Sequence, residues 1–187
     1  MALFSPLVRR VGGQMATAGV IGGLGDALVQ YYERHKQHLS SSVNDHDFFR
    51  TMRMIAYRVP QAPFLDAAWR SFDVAATRLA LSGARGVAFK VALDQILLNP
   101  TMTVYFFMSQ SILEGVSFDA AWSRTKEGLW PTVCAGCQYY CVVHTGTFGI
   151  IPVKYRISWA SGAAVIWTAY LSHSNQLLIL DQKERER

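Results

Sequence analysis

Three stretches of this chain contain no Asp, Glu, Lys or Arg: residues 95–113, 128–153 and 157–180. An α-helix rises about 1.5 Å per residue, so about 20 mostly apolar residues cross about 30 Å of hydrocarbon. Each stretch reaches or approaches that length. A fourth, residues 11–32, carries Asp26 as its only charge. Bulk composition hides this pattern, because a hydrophobic share of 51% and a mean hydropathy of +0.15 sit close to those of soluble proteins. The crowding of the charged residues, 17% of the chain, into the segments between these stretches is what discriminates. The expectation is an all-α fold in a single domain over residues 1–187, an integral membrane helical bundle of about four transmembrane helices plus amphipathic segments.

The segments between the spans follow from their charges. Residues 33–47, with Glu33, Arg34, Lys36 and a serine run, predict an exposed loop, and Asp45 or Asp47 is placed to cap the next helix. Residues 48–81 carry Arg50, Arg53, Arg58, Asp66, Arg70, Asp73 and Arg78 around Pro60 and Pro63, too charged for a plain lipid-facing span. Asp66 and Arg70 stand four apart, at ion-pair spacing on a helix. A further helix is expected from about Arg85, with Pro100 kinking or breaking it before Phe106 and Phe107. Residues 114–127 predict a polar connection, with Trp122 and Trp130 anchoring its ends at headgroup level. Residues 181–187 read as a solvated charged tail.

The formal net charge of +5 comes with no basic run interleaved with aromatics, so nucleic acid is not an expected partner. Membrane lipids are, together with other membrane subunits or further copies of the chain. Arg9 and Arg10 stand before the first span, and Lys154 and Arg156 separate the last two, where the ends of spans collect basic residues.

Charge inside a span is costly and faces a partner helix or a polar passage. Asp26 and Asp94 are such residues, and with Arg53, Lys90 and Gln95 they are the candidates for a polar interior. Arg53 or Arg85 would serve Asp26, and Lys90 would meet Asp94 at i, i+4. In lipid, small residues mark close helix contacts, which singles out Gly19, Gly22, Gly23 and Gly162. Cys134, Cys137 and Cys141 share one helical stripe with His144. Packing is the plain reading of that stripe and a thiol redox gate the sharper one. One straight helix presents at most two of these groups to one ion, so no metal is expected. No nucleophile beside a base, no zinc-protease motif and no dinucleotide fingerprint occurs, so neither an enzyme nor a cofactor is expected.

Several segments together carry a resemblance: TAGVIGGLGDALVQ from Thr17, the group Asp47, Arg50, Thr51, Arg53 and Met54, KVALDQILLNP from Lys90, Glu114-Gly115, and IPVKYRISWASGAAVIWTAYLS from Ile151. These resemble the Mpv-seventeen family, which also contains the peroxisomal membrane protein of twenty-two kilodaltons. The chain departs from the family pattern at Tyr140-Cys141 and Thr147-Phe148, and so resembles a divergent member. The resemblance implies a bundle of membrane helices in the mitochondrial inner membrane or the peroxisomal membrane. It also implies a channel-like passage for small solutes or ions, tied to organelle homeostasis. A different class of function, an accessory subunit packed against a larger respiratory-type complex and its lipids, stands as the alternative. Arg9 and Arg10 ahead of any acid favour the mitochondrion.

Overall fold

The computed structural model describes residues 6–37, 46–149 and 156–185. Among them all regular structure is helical: α1 (Pro6–Gln37), α2 (Phe48–Arg78), α3 (Gly83–Leu93), a π-helical turn (Asp94–Leu98), α4 (Asn99–Leu113), α5 (Phe118–Gly149) and α6 (Arg156–Arg185). Two compact units emerge, Met1–Phe64 with Ala164–His173, and Leu65–Ala163 with Ser174–Arg187.

In the first unit α1 is glycine-rich, which isolated propensity penalises by about 1 kcal/mol per residue. The compensation is close approach of backbones. A Cβ on Gly22 would sit 2.9 Å from the Met54 carbonyl oxygen of α2, and one on Gly25 would sit 2.7 Å from Thr168 Cβ of α6. Ala18, Ile21, Met54, Tyr57, Trp167 and Leu171 fill the apolar part of this core. Asp47 caps α2 by accepting a hydrogen bond from the Arg50 amide at 2.9 Å, satisfying one of the orphan donors of the first turn. Pro60 and Pro63 both lie inside α2, and the helix continues through them.

In the second unit α2 ends where Ala80 takes φ 51°. The Leu81 amide donates to the Ala76 carbonyl at 2.9 Å and the Ala80 amide to Thr77 at 3.0 Å, the paired bonds of a Schellman stop. The same motif closes α4, with Gly115 at φ 75° and the Val116 amide on the Ser111 carbonyl at 3.2 Å. Pro100 lacks an amide hydrogen and its ring presses on the carbonyl four residues earlier. The expected kink takes the form of the π turn Asp94–Leu98 immediately before it. Phe106 and Phe107 are fully buried with ring centroids 5.0 Å apart. A Cβ on Gly128 would lie 2.5 Å from the Phe107 ring, so only glycine lets α5 pass there.

Three expectations are corrected. Residues 33–37 are not loop: α1 continues through Gln37, and Glu33 is half-buried and paired. Ser40 to Ser42 and Lys154 lie outside the described residues. Residues 114–127 are not mainly connection, since α5 begins at Phe118 with Asp119 in its first turn. Residues 181–185 complete α6, where Arg185 meets Asp181 at 2.5 Å and Glu127 at 3.1 Å. Among the described residues no helix is long and apolar enough to cross a membrane. Freedom from charge is not the same as hydrophobicity: 128–153 carries Thr132, Gln138 and His144, and 157–180 carries Thr168, Ser172, His173, Asn175 and Gln176.

Candidate functional site

Each unit holds a polar cluster, buried in the first and half-buried in the second. In the first, α1 carries Asp26, Gln30 and Glu33 at spacings of four and three, which align them on one face. Asp26 is 0% exposed, and such a carboxylate is tolerated only when its lone pairs are met. Its Oδ1 accepts from the Ser172 hydroxyl at 2.5 Å and lies 2.9 Å from Arg50 Nε. Its Oδ2 accepts from the Thr51 hydroxyl at 2.5 Å and from Gln30 Nε2 at 2.7 Å. Gln30 also ties down the start of α2, accepting from the Asp47 amide at 2.8 Å and donating to the Asp47 carbonyl at 3.0 Å.

Arg50 links two acids. While its Nε serves Asp26, its Nη1 donates to Glu33 Oε2 at 2.8 Å. His173 Nδ1 stands 2.7 Å from Glu33 Oε1. Burial pushes the Glu33 carboxyl up, but the hydrogen bonds and positive charge of Arg50 and His173 outweigh it and hold the group below its ordinary 4.5. Ion pairs of this kind contribute little net stability when intact, yet removing one partner costs about 3–5 kcal/mol because the other stays buried and unmatched.

The second unit's cluster sits at the π turn. Asp94 Oδ1 accepts from the Trp69 indole at 2.8 Å and Oδ2 from Gln95 Nε2 at 2.8 Å, with His144 Nε2 3.7 Å away. Tyr140 stacks on His144 with centroids 5.5 Å apart. Asn99 Nδ2 reaches Gln95 Oε1 at 3.2 Å, the Val133 carbonyl at 2.9 Å and Cys137 Sγ at 3.4 Å. Among the described residues no arginine reaches this acid, whose hydrogen bonds come from an indole and an amide. Elsewhere in the same unit Arg124, nearly fully buried, donates to Glu114 at 2.5 Å and to Gln182 at 3.0 Å.

The residues singled out by sequence fall as follows. Asp26 is at the centre of the first cluster, but Arg50, rather than Arg53 or Arg85, is its cation. Arg50 lies in the first turn of α2 beside Asp26, whereas Arg53, three residues on, stands most of a turn further along the helix. Lys90 does not meet Asp94: it donates to Asp73 Oδ1 at 2.9 Å. The Asp94 amide still bonds the Lys90 carbonyl in α register, so the four-residue spacing is intact and it is the Asp73 carboxylate on α2 that draws the ammonium away. Asp66 and Arg70 do pair, at 2.9 Å. Gly19, Gly22 and Gly23 face α2 residues Ile55, Val59 and Met54, while an added Cβ on Gly162 meets nothing within 4 Å among the described residues. Cys134 and Cys137 are half-buried, Cys141 is exposed, and all three are free thiols. Among the described residues no group of His, Cys, Asp or Glu is arranged to hold a metal ion.

Sequence reasoning passed over Gln30, Glu33, Ser172 and His173. The signal for the first two was the polar stripe extending Asp26 along α1. Ser172 is 146 residues from Asp26, and only folding joins them.

The Mpv17 / PMP22 family model matches residues 111–172, spanning the end of α4, α5 and much of α6. Protein SYM1 of Saccharomyces cerevisiae is 26% identical over 171 residues, covering 88% of this chain and 83% of that protein. Protein sym1 of Schizosaccharomyces pombe is 26% identical, covering 85% of this chain and 82% of its own length. Protein SYM1 of Mycosarcoma maydis is 28% identical over 159 residues, 85% of this chain and 76% of that protein. No solved structure matches. The chain is thus similar to the Mpv17 / PMP22 family over residues 111–172 and to SYM1 proteins over most of its length.

Proposed function

We propose that this chain is an organelle membrane protein providing a channel-like passage for small solutes or ions, in the mitochondrial inner membrane rather than the peroxisomal one. The observation that carries the reading is an inverted distribution of side chains. Among the described residues the buried set is nearly as polar as apolar, and includes Asp26, Arg50, Arg58, Gln61, Gln110 and Arg124. Large apolar side chains are exposed on every long helix: Val20, Leu24 and Leu28 on α1, Phe49 and Phe64 on α2, Ile112 on α4, Trp130 and Val142 on α5, Ile166 on α6. Water penalises such exposure, whereas lipid rewards it and demands that polar groups be satisfied inside. Exposed Phe118 and Trp122 at the start of α5 and Phe48 and Phe49 at the start of α2 fit headgroup-level anchors.

The test has two arms. In membranes washed with sodium carbonate the protein stays in the pellet; release into the supernatant removes the membrane reading. Purified alone in planar bilayers, it conducts, and Asp26→Asn or Asp94→Asn alters that conductance. Stoichiometric copurification with a large respiratory-type assembly, without conductance alone, assigns the chain to the accessory-subunit class instead.

A further inference from the structure

Among the described residues the first unit holds a buried cation that the Asp26 cluster does not use. Arg58 of α2 is 8% exposed, and its stem runs against α1, 3.0 Å from where a Cβ on Gly22 would stand. Its one hydrogen bond among the described residues goes from Nη1 to Gln61 Oε1 at 2.8 Å. Gln61 in turn donates to the Tyr57 hydroxyl at 2.8 Å, and both residues are buried. That chain fixes the guanidinium plane from one side by a neutral amide. Nε is buried with no acceptor among the described residues.

Burying a guanidinium without a counter-charge costs several kcal/mol, and a structural arginine avoids it by pairing. Arg50 does so twice, on Asp26 and Glu33. In Arg58 Nε has no acceptor and no acceptor is recorded for Nη2 among the described residues, and the edge these two atoms form matches the paired oxygens of a carboxylate or phosphate. We infer that Arg58, oriented by Gln61 and Tyr57, is an oxyanion-binding site that takes the carboxylate or phosphate group of a small anion on its Nε and Nη2 edge. The inference rests on the passage reading for its purpose, and gives the solute a chemical class. Free anions and lipid phosphates share this chemistry.

Thermal unfolding of the full chain in phosphatidylcholine nanodiscs tests the site, with potassium succinate, potassium phosphate or potassium chloride added at matched ionic strength. Succinate or phosphate at about ten times its dissociation constant raises Tm by about 3–6 °C, and chloride does not. Arg58→Met abolishes the response while leaving Tm without anion unchanged or higher, because an unmatched buried charge has been removed. A purely structural arginine would lower it. Arg58→Lys keeps the charge but not the fork and weakens binding about tenfold. Should Arg58→Met not fold, Gln61→Leu, which frees the guanidinium plane, weakens the response in the same assay. An Arg58-dependent rise seen only in nanodiscs containing phosphatidylglycerol keeps the oxyanion chemistry and makes the headgroup its source. A full response retained in Arg58→Met, or none to free anion or anionic lipid, overturns the site. Conductance without Arg58-dependent binding removes the site and leaves the passage; Arg58-dependent binding without conductance does the reverse.

Discussion

Asp26 and Asp94 are both acids within long helical stretches, yet their surroundings differ in kind. Asp26 is enclosed, accepts from Ser172, Thr51 and Gln30, and stands against a guanidinium that also holds Glu33. Asp94 keeps 14% of its side chain exposed, takes its hydrogen bonds from Trp69 and Gln95, and lies on a π turn. A saturated ionic cluster draws three chain segments into one arrangement, because no member can leave without stranding a charge. A neutral cluster on an irregular turn can exchange partners at low cost. The first is a keystone of its unit, and the second is the more adaptable place to perturb.

The largest effect tests the keystone. Arg50→Met leaves Asp26 and Glu33 without their cation and should cost about 3–5 kcal/mol, read as a fall in Tm. Adding Asp26→Asn to it should recover part of that loss, giving a coupling in a double-mutant cycle that separate, independent roles would not produce. Gly25→Ala forces a Cβ to 2.7 Å from Thr168, pushing apart the helices that deliver Ser172 to Asp26. We expect a loss of about 1–3 kcal/mol from this overpacking. Against these, Asp94→Asn keeps an acceptor for Trp69 and should cost about 1 kcal/mol or less by the same measurement. A loss equal to that of Arg50→Met would abolish the contrast.

A pH series sharpens it further. The folded carboxyl of Glu33 titrates below its ordinary 4.5, so its contribution is fully present above that value and disappears as pH falls through the folded pKa. The gap in Tm between the native chain and Glu33→Gln should therefore close on acidification below 4.5. The smallest effect lies away from both acids. Ala80 adopts φ 51° in an exposed Schellman stop, where Ala80→Gly should stabilise by about 0.5–1 kcal/mol, seen as a small rise in Tm.

Much of the local architecture was legible. The N-cap at Asp47, the Asp66–Arg70 pair and the irregularity before Pro100 are encoded within a few residues, where backbone chemistry leaves little choice. The ends of helices were less legible. Glu33 and the basic residues after it read as loop because charge usually marks solvent, whereas here Glu33 meets Arg50 and His173 and α1 continues to Gln37. The same bias made the segment after Glu114 look like a connection, although Arg124 in it is almost wholly buried against Glu114 and Gln182.

By itself the sequence determined an all-helical chain, the positions at which charge enters apolar stretches, and the glycines that permit helices to touch. These depend on neighbours three or four residues apart, and helical periodicity fixes them. Only the tertiary structure decided that Arg50, and not Arg53, answers Asp26, that Lys90 goes to Asp73, and that Arg58 is left with a single amide. Those outcomes turn on which helix faces are pressed together. Arg50 and Arg53 differ by three positions, about 60° and most of a turn, which exchanges one partner for another without altering the local pattern that a sequence displays.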